Sequence, residues 1–342
     1  MAANVAVENA DESDTEVSGN RPRLAVVIPC YRVSQQILSV IRGIGPDVSL
    51  IYCIDDACPD GSGQVVEQHF QNDSRVHVVR HETNAGVGGA VVTGYLQALR
   101  ERAEIIIKLD GDGQMDPAEI ELLIRPIVEG RADYAKGNRF WRLEGLRSMP
   151  WVRLIGSAGM SFLSKLSTGY WNLFDPANGF TAIHANVVRE LPLGKLSRRY
   201  FFESDMLFRL NTLQAVVVDV PMMARYADET SGLNVWNALV AFPLYHARNF
   251  VKRLFYNYFL RNFTFASISL VAGAVMVLFG FVFGAIQWTN LARNREFASS
   301  GTVMLAALPV ILGVQLLLSF VSSDMTNVPR DPIHNRLPDR RD

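Results

Sequence analysis

The run EIIIKLDGDGQ, residues 104–114, sets how the rest of the chain is read. A short continuous apolar stretch closed by turn residues is the mark of a strand buried on both faces. This one closes on Asp110-Gly111-Asp112-Gly113-Gln114, two carboxylates one residue apart in a glycine-softened turn. Two earlier runs are built alike. LAVVIPCY (24–31) closes with a proline, and LIYCIDDACPDGSG (50–63) ends in acids and turn residues. Helical patterns lie between and after them, at Gln36–Ile44, 62–71, 86–102 and Pro117–Glu129, with a short strand at Val76–Arg80. This alternation predicts an α/β fold with a doubly wound, mostly parallel sheet. Ligands of such sheets bind beyond the carboxyl ends of the strands, which is where these carboxylates fall.

Carboxylate oxygens at that spacing suit a hard divalent cation, Mg2+ or Mn2+, whose shell substrate phosphates complete. Such an ion would neutralise a departing diphosphate. A calcium loop starting at Asp110 fits less well. Glu121 falls at its twelfth position, but Met115 replaces the glycine of the sixth, and a strand precedes it instead of a helix. Asp55, Asp56 and Asp60 close the second run, as solvated turn residues or as acceptors for a base or ribose. NAGVGGA (84–90) opens a helix with glycines but lacks the third glycine of the dinucleotide-binding spacing, which argues against a dehydrogenase.

Past a helical pattern at Trp151–Gly169 come NGFTAIHANVV, RRYFFESDMLFRL and the strand-like AVVVDVPM. Residues 236–262 interleave large aromatics with Arg248, Lys252, Arg253 and Arg261, the make-up of an amphipathic helix at a bilayer surface. Residues 263–288 and 301–323 are uncharged and almost wholly apolar. About 20 such residues cross the hydrocarbon core, so a transmembrane hairpin is predicted. Basic residues crowd its outer flanks, with Arg330, Arg336, Arg340 and Arg341 on the far side. That bias puts both ends, the 23–235 domain and a 324–342 tail in the cytoplasm. Residues 1–22 are acidic, small and polar, which predicts a disordered tail and no signal peptide. The 33 basic and 34 acidic residues nearly cancel, so charge gives no case for nucleic acid. Cys30, Cys53 and Cys58, without a histidine cluster, outline neither a disulfide framework nor a zinc site, and suit a reducing compartment.

VVIPCY, DDACPDGS, NAGVGGA, DGDGQ, GNRF (137–140) and NGF (178–180) follow one another along the chain. Together they closely resemble glycosyltransferase family 2 with the GT-A fold. Within it they are similar to the dolichyl-phosphate mannose synthase and bacterial polyprenyl-phosphate glucosyltransferase branch, over about residues 24–235. The resemblance implies inverting transfer of a hexose, glucose first, to a polyprenyl phosphate at the inner (cytoplasmic) membrane. A UDP-sugar is the implied donor, with GDP-mannose the alternative, and a homo-oligomer is compatible with it. Pro29, Tyr31, Asp56 and Asp110 would bind the nucleotide; Asp110, Asp112 and Gln114 would hold Mg2+ or Mn2+. Asp112, Arg139, Arg225 and Asp205 would be catalytic, the arginines on the acceptor phosphate, with Glu203 a close rival of Asp205. The chain departs from the pattern at Arg32-Val33-Ser34, Asn178 and Gly232. A processive polysaccharide synthase would carry a glutamine–arginine–tryptophan motif and more spans. A catalytically inactive membrane scaffold would not need the Asp110–Gln114 cluster.

Overall fold

The computed structural model describes residues 21–139, 151–174, 178–222 and 235–338. Seven strands form one sheet: β1 (Leu24–Cys30), β2 (Val48–Asp55), β3 (Val76–Arg80), β4 (Ile105–Lys108), β5 (Tyr134–Asn138), β6 (Thr181–His184) and β7 (Val217–Pro221). Their order is β3-β2-β1-β4-β6-β5-β7. The central strands are apolar on both faces because helices cover both. On one side α1 (Ile37–Gly43) and α4 (Ile120–Val128) pack against Val26, Ile28 and Ile107. On the other, α3 (Val87–Arg100) packs against Val27, Ile54 and Ile106. The short α2 (Ser62–His69) follows β2.

All pairings are parallel except those of β6, which runs antiparallel to both β4 and β5. The consequence for the site is direct. Thr181, the first residue of β6, pairs with Lys108 at the end of β4 and with Lys136 in β5. The residues that lead into β6, Asn178 to Phe180, therefore stand between the carboxyl ends of β4 and β5.

The second half of the chain adds α5 (Trp151–Thr168), α6 (Ala185–Glu190), α7 (Phe202–Leu213) and α8 (Val235–Phe255), which runs into a π-helical turn at Tyr256–Arg261. The amphipathicity of α8 is inverted. The face turned inward carries His246, Asn249 and Arg253, continued by Asn257, all buried. The outward face shows Leu244, Val251 and Phe255, continued by Leu260, all more than half exposed, beside the exposed Arg248 and Lys252. A helix facing water does the opposite.

Two long helices follow, α9 (Phe265–Asn294) and α10 (Ser300–Thr326). Both are long and apolar enough to cross a membrane, with mean hydropathy 2.4 and 2.3. Only 17% and 11% of their most apolar windows are buried, so they are not core helices of a water-soluble domain. They form a hairpin by close backbone approach. A Cβ on Gly273 would lie 2.9 Å from the Gly313 carbonyl oxygen, as in small-residue packing between membrane helices.

The sequence suggests a tail after this hairpin. The described part of it, to residue 338, is docked. The Ile333 and His334 N–H groups donate to Asp133, the His334 ring lies 2.7 Å from the same carboxylate, and Asn335 donates to the Gly130 carbonyl. The His334 ring stacks on His184 at 4.4 Å. Both ends of the apolar hairpin therefore return to the α/β domain.

Candidate active site

The site is built at the carboxyl ends of β1, β2 and β4. At the end of β1, Pro29 is half-buried and Tyr31 is exposed, with the Arg32 guanidinium 5.5 Å from its ring centre. Arg32 has a left-handed backbone (φ 59°), and its N–H donates to the Cys58 sulfur. That bond ties the loop after β1 to the loop after β2. Asp60 adds to the tie: it accepts from the Ser34 N–H and the Ser62 hydroxyl. Burial would raise the Asp60 pKa, but hydrogen bonds from Cys58, Ser62 and Ser34 outweigh it and hold the carboxyl well below its usual range.

Asp56 is buried and already engaged. It accepts from the Ala85 and Gly86 N–H groups at 2.7 and 2.8 Å, and the His81 ring lies 2.7 Å away. Its work in this structure is to seat the glycine-rich loop. That loop is itself a packing device. The Gly88 and Gly89 N–H groups donate to the Arg198 carbonyl. A Cβ on Gly86 would strike the Arg198 carbonyl oxygen, and one on Gly88 would come within 2.7 Å of the Phe202 ring. The N-terminus of α3 is thus closed by the segment leading into α7.

The centre of the site lies at the end of β4. The Lys108 ammonium is 1% exposed. It donates to Asp110 at 2.8 Å, to the Gly179 carbonyl at 3.2 Å and to Glu203 at 3.3 Å. Burial alone would lower its pKa; Asp110 and Glu203 outweigh that and raise it. Gly179 allows this approach, because a Cβ there would sit 2.5 Å from the Lys108 nitrogen and on the Asp110 carboxylate. Asp112 and Gln114 lie in the half-exposed turn beyond, where Asp112 accepts from the Gln114 N–H at 3.0 Å. Among the described residues no three acidic, histidine or cysteine side chains gather into a metal cluster. The turn offers two carboxylates and one side-chain amide, hard oxygen donors that fit Mg2+ or Mn2+ only with ligands from a bound diphosphate.

Glu203 and Asp205, two residues apart in the first turn of α7, point in different directions. Glu203 reaches the Lys108–Asp110 pair. Asp205 is buried elsewhere: it accepts from the Ser197 N–H, the Arg209 guanidinium and the Asn249 amide. Of the two acids that the sequence offers, Glu203 is the one that contacts Lys108, and Asp205 contacts Ser197, Arg209 and Asn249. Arg139 stands in the turn directly after β5. Asn178 is buried and turned inward, accepting from the Phe180 N–H and contacting the Met222 sulfur. Arg225, Phe140 and Gly232 lie outside the described residues. Sequence reasoning missed Lys108 and Gly179. The available signal was one lysine in an otherwise apolar strand, a position that demands a buried partner.

The glycosyl transferase family 2 model matches residues 25–191. An undecaprenyl-phosphate mannosyltransferase from Micrococcus luteus is 30% identical over 207 residues, 58% of this chain and 82% of that one. A UDP-N-acetylglucosamine–dolichyl-phosphate N-acetylglucosaminyltransferase from Methanococcus voltae is 25% identical over 234 residues, 65% of this chain and 92% of that one. Among solved structures, mannosyl-3-phosphoglycerate synthase from Rubrobacter xylanophilus matches with a TM-score of 0.52 at 15% identity, covering 71% of this chain and 77% of that one, a likeness of fold. The chain belongs to glycosyl transferase family 2 and is a glycosyltransferase with a GT-A-like fold.

Proposed function

We propose that the protein transfers a hexose from a nucleotide-sugar to a polyprenyl phosphate at the cytoplasmic face of a membrane, with inversion at the anomeric carbon. The observation that carries this reading is one molecule holding both halves of the task. It has a carboxylate cluster at the strand ends, and an exposed apolar hairpin whose two ends return to the same domain. The family relatives named above act on undecaprenyl and dolichyl phosphates, which supports a lipid-borne acceptor.

In this reading Tyr31 and Pro29 flank the base of the nucleotide, and Arg32 brings a positive charge to the same mouth. Asp110, Asp112 and Gln114 would hold Mg2+ or Mn2+. Bound there, the ion supplies charge compensation for the leaving diphosphate. An acceptor phosphate monoester has a second pKa of about 6 and is largely a dianion at neutral pH, so it needs positioning more than a strong base. Arg139 and Arg225 take that role, since a guanidinium grips phosphate through two parallel hydrogen bonds. Glu203 is the acid nearest the reacting groups, and Lys108 fixes its carboxylate beside Asp110. Asp205 serves the fold of α7. The inverted face of α8 rests in the headgroup layer, and α9 and α10 cross the bilayer of the inner membrane.

The test is transfer itself. Membranes containing the protein are incubated with undecaprenyl phosphate, Mg2+ or Mn2+, and labelled UDP-glucose, UDP-N-acetylglucosamine or GDP-mannose. A glycolipid product is expected with one donor, UDP-glucose being the first choice. Turnover should fall further for Glu203→Gln than for Asp205→Asn. Absence of lipid product with every donor would overturn the reading.

A further inference from the structure

The geometry points to Asp324 as a positioning residue that seats the apolar hairpin on α8 and the π-helical turn, which in turn hold the helix carrying Glu203; this rests on the lipid-acceptor reading above. Asp324 lies in the last turn of α10 and is 4% exposed. Its carboxylate accepts four hydrogen bonds from three separate parts of the chain. The Arg253 guanidinium of α8 donates twice, at 2.7 and 2.9 Å. The Tyr258 hydroxyl, in the π-helical turn, donates at 2.7 Å, and the Trp171 ring N–H, just past α5, donates at 2.9 Å. Arg253 also donates to the Leu166 carbonyl of α5. Gly169, with φ +78°, leaves the space, since a Cβ there would lie 2.7 Å from the guanidinium.

A fully buried ion pair of this kind adds little net stability over apolar packing, and its best-attested use is to fix one arrangement among several. Here the arrangement it fixes leads to the site. Asn257 donates to Asn211 near the end of α7, Arg261 to the Thr212 carbonyl, and Asn249 to Asp205 in its first turn. Glu203 lies eight residues before Asn211, about 12 Å along the same helix. The joint is too far from the reacting groups to touch them. It sets the height and rotation of the hairpin relative to the helix that presents Glu203. An acceptor lying alongside the hairpin in the bilayer is then delivered at a fixed depth. An acceptor arriving from water does not use the joint.

The test uses the full chain in lipid nanodiscs with two acceptors, undecaprenyl phosphate in the bilayer and a short, water-soluble isoprenyl phosphate. For Asp324→Ala we expect KM for the long acceptor to rise about tenfold, the loss of a charged hydrogen-bond set. The kcat and KM for the short acceptor, and KM for the donor, should stay within about twofold, since no group at the reacting centre is altered. Tyr258→Phe removes one hydrogen bond without stranding a buried donor, and should move the long-acceptor KM the same way by less. Independently of activity, hydrogen exchange of residues 320–338 should quicken in Asp324→Ala while that of β1 and β2 does not. Equal losses on both acceptors, an unchanged long-acceptor KM, or unchanged exchange would each overturn the inference. Failure of the unmodified protein with either acceptor would instead count against the lipid-acceptor reading.

Discussion

Replacing Lys108 by methionine isolates the charge at the centre of the site. Methionine has nearly the same length and volume, so the cavity term is small. What is lost is the one ammonium that touches Asp110 at 2.8 Å and Glu203 at 3.3 Å. Removing one partner of a buried ion pair costs about 3–5 kcal/mol. The Asp110 and Glu203 side chains remain 29% and 16% exposed, so water screens part of the repulsion left behind. A cost of about 2–3 kcal/mol is therefore expected. With an unfolding entropy of about 2 cal/mol/K per residue over a domain of roughly 200 residues, this lowers Tm by about 5–7 °C. The assay is thermal unfolding of the detergent-solubilised full chain, run as a double-mutant cycle with Glu203→Gln. Neutralising Glu203 in the Lys108→Met background removes one of the two uncompensated charges, so the double variant should regain about 1–2 kcal/mol relative to additivity. A Lys108→Met melt within about 1 °C of the unmodified protein, or strict additivity in the cycle, would refute the reasoning.

Three further outcomes are expected. Gly179→Ala places a methyl group on the Asp110 carboxylate and 2.5 Å from the Lys108 nitrogen; sugar transfer should fall by about 100-fold, and the melting temperature should fall with it because the buried Lys108–Asp110 pair is pushed apart. Gly88→Ala pushes a methyl group within 2.7 Å of the Phe202 ring; overpacking of that kind costs about 1–3 kcal/mol and should appear as a lower melting temperature. His246, 2.7 Å from the Ser167 hydroxyl, has its pKa lowered by burial from 6.5 to about 4. The unfolded chain takes up this proton first, so its stability contribution is complete above pH 6.5 and is lost as pH falls toward 4. His246→Gln should flatten that part of a Tm-against-pH curve.

The strands that carry the site are legible in the sequence because each is apolar on both faces and ends in a change of chemistry. β5 and β6 are not. YAKGN mixes a lysine, a glycine and an asparagine, and TAIH has four residues, so neither shows a period of its own. Only pairing makes them strands, and the antiparallel sense of β6 is what brings Gly179 to Asp110. The same limit explains the two acids of α7. ESDML contains both, and nothing local tells which one faces β4. Tertiary contacts decide it, through Lys108 on one side and Asn249 on the other. The glycine-rich loop is a third case. Its residues suit phosphate binding, yet its N–H groups are spent on the Arg198 carbonyl and the Asp56 carboxylate.

The docked segment after α10 also bears on how the protein is made. Asp133 meets Ile333 and His334 across 200 and 201 residues of chain, and the apolar hairpin is synthesised in between. A catalytic domain newly released from the ribosome has its sheet but not the three contacts that these two residues give Asp133. Supplying them before insertion would hold two apolar helices of 30 and 27 residues folded back in water, against a strong hydrophobic penalty. In the proposed topology the last hydrogen bonds to Asp133 are therefore made only at the bilayer, and completion of the fold is tied to membrane insertion.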